Sequence, residues 1–130
     1  MKNKKVLVCG VYDLIHRGHI EFFKKASKFG NLYVGIVCDK AVKKQKGKNR
    51  PIISENDRFE IVKSLNCVYE IFMIDDFYFP EIEKYDFIVV GEDQNHFKNL
   101  NNIPQNKKII LKRYKCVSTS DIIKKINGEK

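Results

Sequence analysis

The run Lys5-Val6-Leu7-Val8-Cys9-Gly10 constrains the fold of this chain more than any other segment. It is apolar at every interior position, so both faces of the strand it predicts need covering, the pattern of a strand inside a parallel sheet. Gly10 closes the run and lets backbone amides approach an anion closely. Four similar runs follow, at Leu32–Val37, Val68–Ile74, Asp86–Gly91 and Lys108–Leu111. Helical spacing fills the gaps between them. Ile20, Phe23 and Ala26 lie on one side and Lys24, Lys25 and Lys28 on the other, which predicts a helix from about His19 to Phe29 that Gly30 stops. Ser54 is a helix cap with a carboxylate, Asp57, three residues on, and the helix runs through Phe59, Ile61, Val62 and Leu65. Lys43 to Ile53 reads as a polar, basic loop, and Pro80 to Lys84 as a short helix or turn. Ser118 caps a last helix over Thr119–Asn127, with Gly128 beyond it. Strands alternating with helices give an α/β fold, a doubly wound parallel five-stranded sheet, in one domain spanning residues 1–130.

The chain holds 130 residues, enough for one real core, and its 43% hydrophobic and 32% charged residues carry no signature of disorder. No apolar run approaches the roughly 20 residues of a membrane helix, and the first one, broken by Gly10, is too short for a secretory signal. A cytoplasmic protein with no membrane partner is expected. Cys9, Cys38, Cys67 and Cys116 form neither a Cys-x-x-Cys pair nor a Cys/His cluster, which argues against zinc and for reduced, mostly buried thiols. The net charge of +9 calls for an anionic partner. Much of the excess lies in Lys40–Arg50 and Lys107–Lys115, so it marks a site more than a general surface. Nucleic acid is one anion that fits, but no helix-turn-helix, RNP or zinc-finger pattern accompanies the charge. A nucleotide with a phosphorylated cosubstrate fits better.

Ligands of open α/β sheets bind at the carboxyl ends of the strands. The first such end reads Gly10-Val11-Tyr12-Asp13-Leu14-Ile15-His16-Arg17-Gly18-His19. Two of the three histidines fall within four residues at the mouth of the next helix, whose amides add positive potential. Imidazoles placed there can donate hydrogen bonds to a phosphoryl group as charge builds in its transition state, with no covalent intermediate. The competing possibility is one capping histidine and one surface histidine. Lys43-Lys44-Gln45-Lys46-Gly47-Lys48 is a basic stretch able to close over phosphates, or else a solvated charge run. Ser118 and Thr119 can hold an anion at a helix start or can simply cap it. Arg113 just upstream favours the anion, because guanidinium grips phosphate in pairs of bonds.

The segment from Gly10 to His19 resembles the G-x-F/Y-D-x-x-H-x-G-H signature of the cytidylyltransferase family of HxGH nucleotidyltransferases. Lys46-Gly47 looks like that family's Lys-Gly loop after Asp39. Pro51 to Arg58 resembles its Glu-x-Arg segment, and Gly91-Glu92-Asp93 its Gly-Asp-Asp. Arg113 with Val117-Ser118-Thr119-Ser120-Asp121-Ile122 resembles its R-T-x-G-I-S-T block. The resemblance implies a Rossmann-like nucleotidyltransferase fold, CTP with Mg2+ on its phosphates, a phosphorylated small-molecule acceptor and a homodimer. No protein ligand set for the metal is implied. It assigns catalysis to His16, His19, Lys46 and Arg113, and nucleotide binding to Gly10, Val11, Tyr12, Gly18, Gly91, Asp93, Ser118 and Thr119. Substrate binding falls to Asp13, Asp39, Lys44 and Arg58, although Arg58 can equally be an exposed charge on a helix.

The departures bear on the substrate. The Thr and Gly of R-T-x-G-I-S-T become Tyr114 and Cys116, and the tryptophan frequent after Gly-Asp-Asp is Gln94. Choline- and ethanolamine-phosphate relatives carry an acidic residue where this chain has Cys9. That points to a neutral polyol phosphate, glycerol 3-phosphate foremost, converted to its CDP-alcohol and pyrophosphate. Relatives that act on heptose phosphate or flavin mononucleotide share the first motif and use ATP, so an adenylyltransferase of the same fold is the alternative.

Overall fold

A computed structural model describes residues 3–116 and 118–128. Five parallel strands form one sheet: β1 (Lys5–Gly10), β2 (Asn31–Val37), β3 (Glu70–Ile74), β4 (Phe87–Gly91) and β5 (Lys108–Leu111), in the order β3-β2-β1-β4-β5. Val6, Leu7, Val8 and Cys9 of β1 are wholly buried. Alternate residues enter two separate apolar clusters, Leu7 and Cys9 on one face and Val6 and Val8 on the other. This is the two-sided burial that a continuous apolar run requires.

The helices are α1 (Arg17–Ser27), α2 (Asp39–Lys46), α3 (Glu55–Lys63) and α4 (Thr119–Ile126). Short 3-10 turns occupy Ile82–Lys84 and Leu100–Asn102. Sequence periodicity misses α2, whose residues fall at the end of β2 and in the basic loop. Its only buried side chains are Ala41 and Val42, too few to register as an apolar face among the lysines. Asp39 in its first turn and Lys43, Lys44 and Lys46 in its last turn suit the helix dipole at both ends. Gly47, at φ 101°, then leaves the helix through a conformation that side chains disfavour.

The strand order reverses between β1 and β4, and that switch positions the site. The β1–β4 register covers only Val6↔Phe87 and Leu7↔Ile88. Further along, the Gln94 side chain spans the two strands: its Nε2 donates to the Cys9 carbonyl (2.8 Å) and its Oε1 accepts from the Gly91 N–H (2.9 Å). A side chain thus supplies the bonds where the ladder opens, and a crevice forms above it.

Candidate active site

A cleft of about 400 Å³ lies over this switch point. Gly10, Val11, Tyr12, Asp13, His16, Gly18, His19, Lys46, Gly91, Asp93, Arg113, Ser118 and Thr119 all line it. The sequence therefore placed thirteen site residues that the fold brings together. Asp39, Lys44 and Arg58 are absent from the lining.

The two histidines are held by the helix they precede. His16 is the N-cap of α1, and its Nδ1 accepts from the Gly18 N–H (3.1 Å). His19 Nδ1 accepts from the His16 N–H (3.2 Å), which completes a capping box with imidazoles in place of the usual hydroxyl and carboxylate. Capping uses only the Nδ1 of each ring and so leaves each Nε2 available. With each Nδ1 accepting, the proton of each neutral ring sits on Nε2, and both rings keep one N–H donor. The rings lie 3.9 Å apart between centroids.

Burial and then the Arg113 charge lower the His16 pKa. Burial, His16 and Lys46 lower that of His19 to about 3. Both imidazoles are accordingly neutral donors near neutral pH. The Arg113 charge thus acts on His16 and the Lys46 charge on His19.

Gly18 is required by packing. A Cβ there would lie 2.8 Å from His16 Cε1 and 2.9 Å from Cys116 Sγ, so the absence of a side chain lets the His16 ring fold back over the helix start. Gly10 plays the same part for Tyr12, whose ring would meet a Cβ at 2.7 Å. Tyr12 in turn packs edge-on against His19, with centroids 5.8 Å apart.

Several sequence expectations are revised by the tertiary contacts. Arg58 is neither exposed nor available to a substrate phosphate: it is fully buried. Its Nη1 donates to the carbonyls of Val11 and Val37 (both 2.8 Å), its Nε to Ile53 (2.9 Å) and its Nη2 to Asp39 Oδ1 (2.7 Å). Arg58 and Asp39 together clamp the ends of β1 and β2. Lys44 is exposed on α2. Asp13 reaches the cleft wall, but its carboxylate accepts from the N–H groups of Ile52 (2.7 Å) and Ile53 (2.8 Å), which fixes the segment entering α3. Lys46 is the last residue of α2 rather than part of a loose loop. Cys9 is buried in the core and is not part of the cleft wall, so its identity does not select the acceptor.

Ser118 caps α4 in a reciprocal box with Asp121, and Thr119 Oγ1 donates to the Asp13 carbonyl (2.8 Å). The Thr119 hydroxyl hydrogen is thereby used, while Ser118, as an acceptor, retains its own.

Arg50, Gln94 and His96 are among the lining residues to which sequence reasoning gave no role in the site. The third histidine, five residues after Gly91, and the arginine that ends the Lys40–Arg50 charge run were the available signals.

A doubly wound sheet with paired imidazole donors at its switch point, flanked by Lys46 and Arg113, defines a nucleotidyltransferase site of the HxGH class. The sequence profile of the cytidylyltransferase-like family matches residues 7–126, and the chain belongs to that family. It is 35% identical over 129 residues to the bifunctional protein HldE of Helicobacter pylori (strain P12), covering 96% of this chain and 28% of that protein. For HldE of Helicobacter acinonychis (strain Sheeba) the identity is 33% over the same length and shares. The chain thus spans little more than a quarter of these relatives. Its fold is similar to the crystal structure of the lipopolysaccharide core biosynthesis protein from Thermoplasma volcanium GSS1. That match has a TM-score of 0.67 and 25% identity, covering 88% of this chain and 98% of that one. Among the described residues no helix is long and apolar enough to cross a membrane.

Proposed function

We propose that this chain transfers the adenylyl group of ATP to a sugar phosphate, releasing pyrophosphate and forming an ADP-sugar. The observation that carries this reading is the HldE similarity, which extends over the whole cleft-bearing region and favours a sugar-phosphate adenylyltransferase, heptose by class. The structural neighbour is a lipopolysaccharide core biosynthesis protein, and the sugar-rich nature of that product agrees with this reading. In the reaction an acceptor phosphate oxygen attacks the α-phosphorus. The bond from that phosphorus to the bridging oxygen breaks, and the electron pair leaves on pyrophosphate. The Nε2–H groups of His16 and His19 donate to the α-phosphoryl oxygens as their charge rises. Lys46 and Arg113 neutralise the flanking phosphates. No group of three or more His, Cys, Asp or Glu suited to a metal occurs among the described residues. Mg2+ would arrive with the triphosphate as a metal–nucleotide substrate, and Asp93 is a cleft carboxylate available to it.

CTP with glycerol 3-phosphate is the second reading, favoured by the family description and by the Arg113 to Thr119 block. Incubation with Mg2+, each of four nucleoside triphosphates and a panel of sugar 1-phosphates, glycerol 3-phosphate and flavin mononucleotide separates them, with pyrophosphate release as the readout. Turnover confined to ATP and a sugar phosphate is expected. Turnover with CTP and glycerol 3-phosphate alone would overturn the adenylyl reading. A homodimer in the cytoplasm accompanies the proposal, and sedimentation equilibrium tests the dimer.

A further inference from the structure

We infer that Arg50 and His96, together with Lys46, form the subsite that holds the acceptor's phosphate. The inference deepens the proposed nucleotidyl transfer and rests on it. All three side chains line the cleft. Arg50 lies 3.8 Å from Asp13 Oδ2, but that carboxylate already receives the Ile52 and Ile53 amides. The Arg50 Nε is buried, and although it is the atom ion-paired with Asp13 Oδ2, it makes no hydrogen bond among the described residues. A buried guanidinium nitrogen without an acceptor costs free energy that a bound anion would recover. His96 comes to the same wall from the loop after β4, its ring edge-on to Phe77 at 4.9 Å. Burial and then the Lys46 charge lower the pKa of His96, and burial and then the Arg50 charge lower that of Lys46, so positive groups gathered in one place account for part of both shifts. Asp93 provides part of the opposing charge. A cluster that repels itself this way is built for an anion from outside the chain.

The location decides which anion. In-line displacement needs the entering phosphate and the leaving pyrophosphate on opposite sides of the α-phosphorus. The segment leading into α4 meets His16, with Cys116 Sγ 3.7 Å from its Nδ1, whereas Lys46 ends α2, Arg50 follows it and His96 lies on the loop after β4. The α4 side suits the pyrophosphate, and the Arg50–His96 side is left for the acceptor. Neither residue was singled out by the sequence motifs.

The test uses inorganic phosphate as the probe, titrated by calorimetry onto the full chain saturated with α,β-methylene ATP, whose α–β bridge cannot break. Arg50→Gln and His96→Gln should each weaken phosphate binding by about 10-fold while changing affinity for the analogue alone by less than about threefold. His96 is the safeguard if loss of Arg50 beside Asp13 unfolds the chain. Unchanged phosphate affinity in the variants, no phosphate binding by the wild type, or loss of analogue affinity instead would overturn the assignment. Because binding is read without turnover, failure of the wild type to adenylylate any sugar phosphate would count against the proposed substrate and leave this subsite to be judged by the titration.

Discussion

Replacing Arg58 by Met tests whether the β1 and β2 ends are held by a buried clamp. The substitution keeps most of the aliphatic volume and removes four hydrogen bonds, to Val11, Val37, Ile53 and Asp39. Two of these losses are partly recoverable. Asp39 is 30% exposed and can take up water, and Ile53 lies in the segment before α3, which can adjust. The Val37 carbonyl sits in a fully buried bond and cannot. Removing one partner of a buried charged network costs about 3–5 kcal/mol, out of a total stability on the order of 5–15 kcal/mol for a domain. At the usual sensitivity of a chain this size, the melting temperature should fall by roughly 10–20 °C. Asp39→Asn keeps an oxygen that can accept from Arg58 Nη2 but removes the negative charge opposite a fully buried guanidinium, and should cost about 1–3 kcal/mol. Urea denaturation followed by circular dichroism measures both. An Arg58→Met variant as stable as wild type, yet unable to bind its acceptor, would refute the clamp and restore Arg58 to the substrate.

Gly18→Ala should leave the fold intact while displacing the His16 ring, because the new Cβ meets that ring and the Cys116 sulfur; kcat should drop about 100-fold, as when one transition-state donor is lost. A melting temperature near wild type with unchanged kcat would show that the ring position is irrelevant. His19→Ala should lower turnover by at least about 100-fold, and near-normal turnover would mean the site lies elsewhere. His19 also predicts a pH effect on stability. Its folded pKa of about 3 lies below the ordinary 6.5, so the unfolded chain binds the extra proton first. The stability contributed by neutral His19 is complete above 6.5 and is lost as pH falls toward about 3. Between pH 6 and 5, wild type should lose stability more steeply than His19→Gln, by roughly 1 kcal/mol per pH unit, and parallel urea-denaturation profiles would contradict the burial of that imidazole.

Much of this protein is written locally. The run Lys5–Gly10 dictates a strand covered on both sides, because every interior residue is apolar whichever face it occupies. His16, Gly18 and His19 shape their own site through bonds spanning two or three residues, so short-range spacing suffices to find them. Strand order, by contrast, depends on pairings between distant segments, and so does every feature that corrected the sequence reading. Arg58 looks like any helix-face arginine until Val11, 47 positions away, accepts from it. Gln94 acquires its role from Cys9 at a separation of 85. α2 hides among lysines because its stability comes from two buried residues and its end charges. Arg50 and His96 become neighbours of one cleft only when the sheet brings the ends of several strands together. Sequence determined the histidine pair and the alternation of elements, since both rest on local geometry. The tertiary structure alone decided which charges are consumed inside the fold and which face the cleft, since that depends on contacts no local pattern encodes.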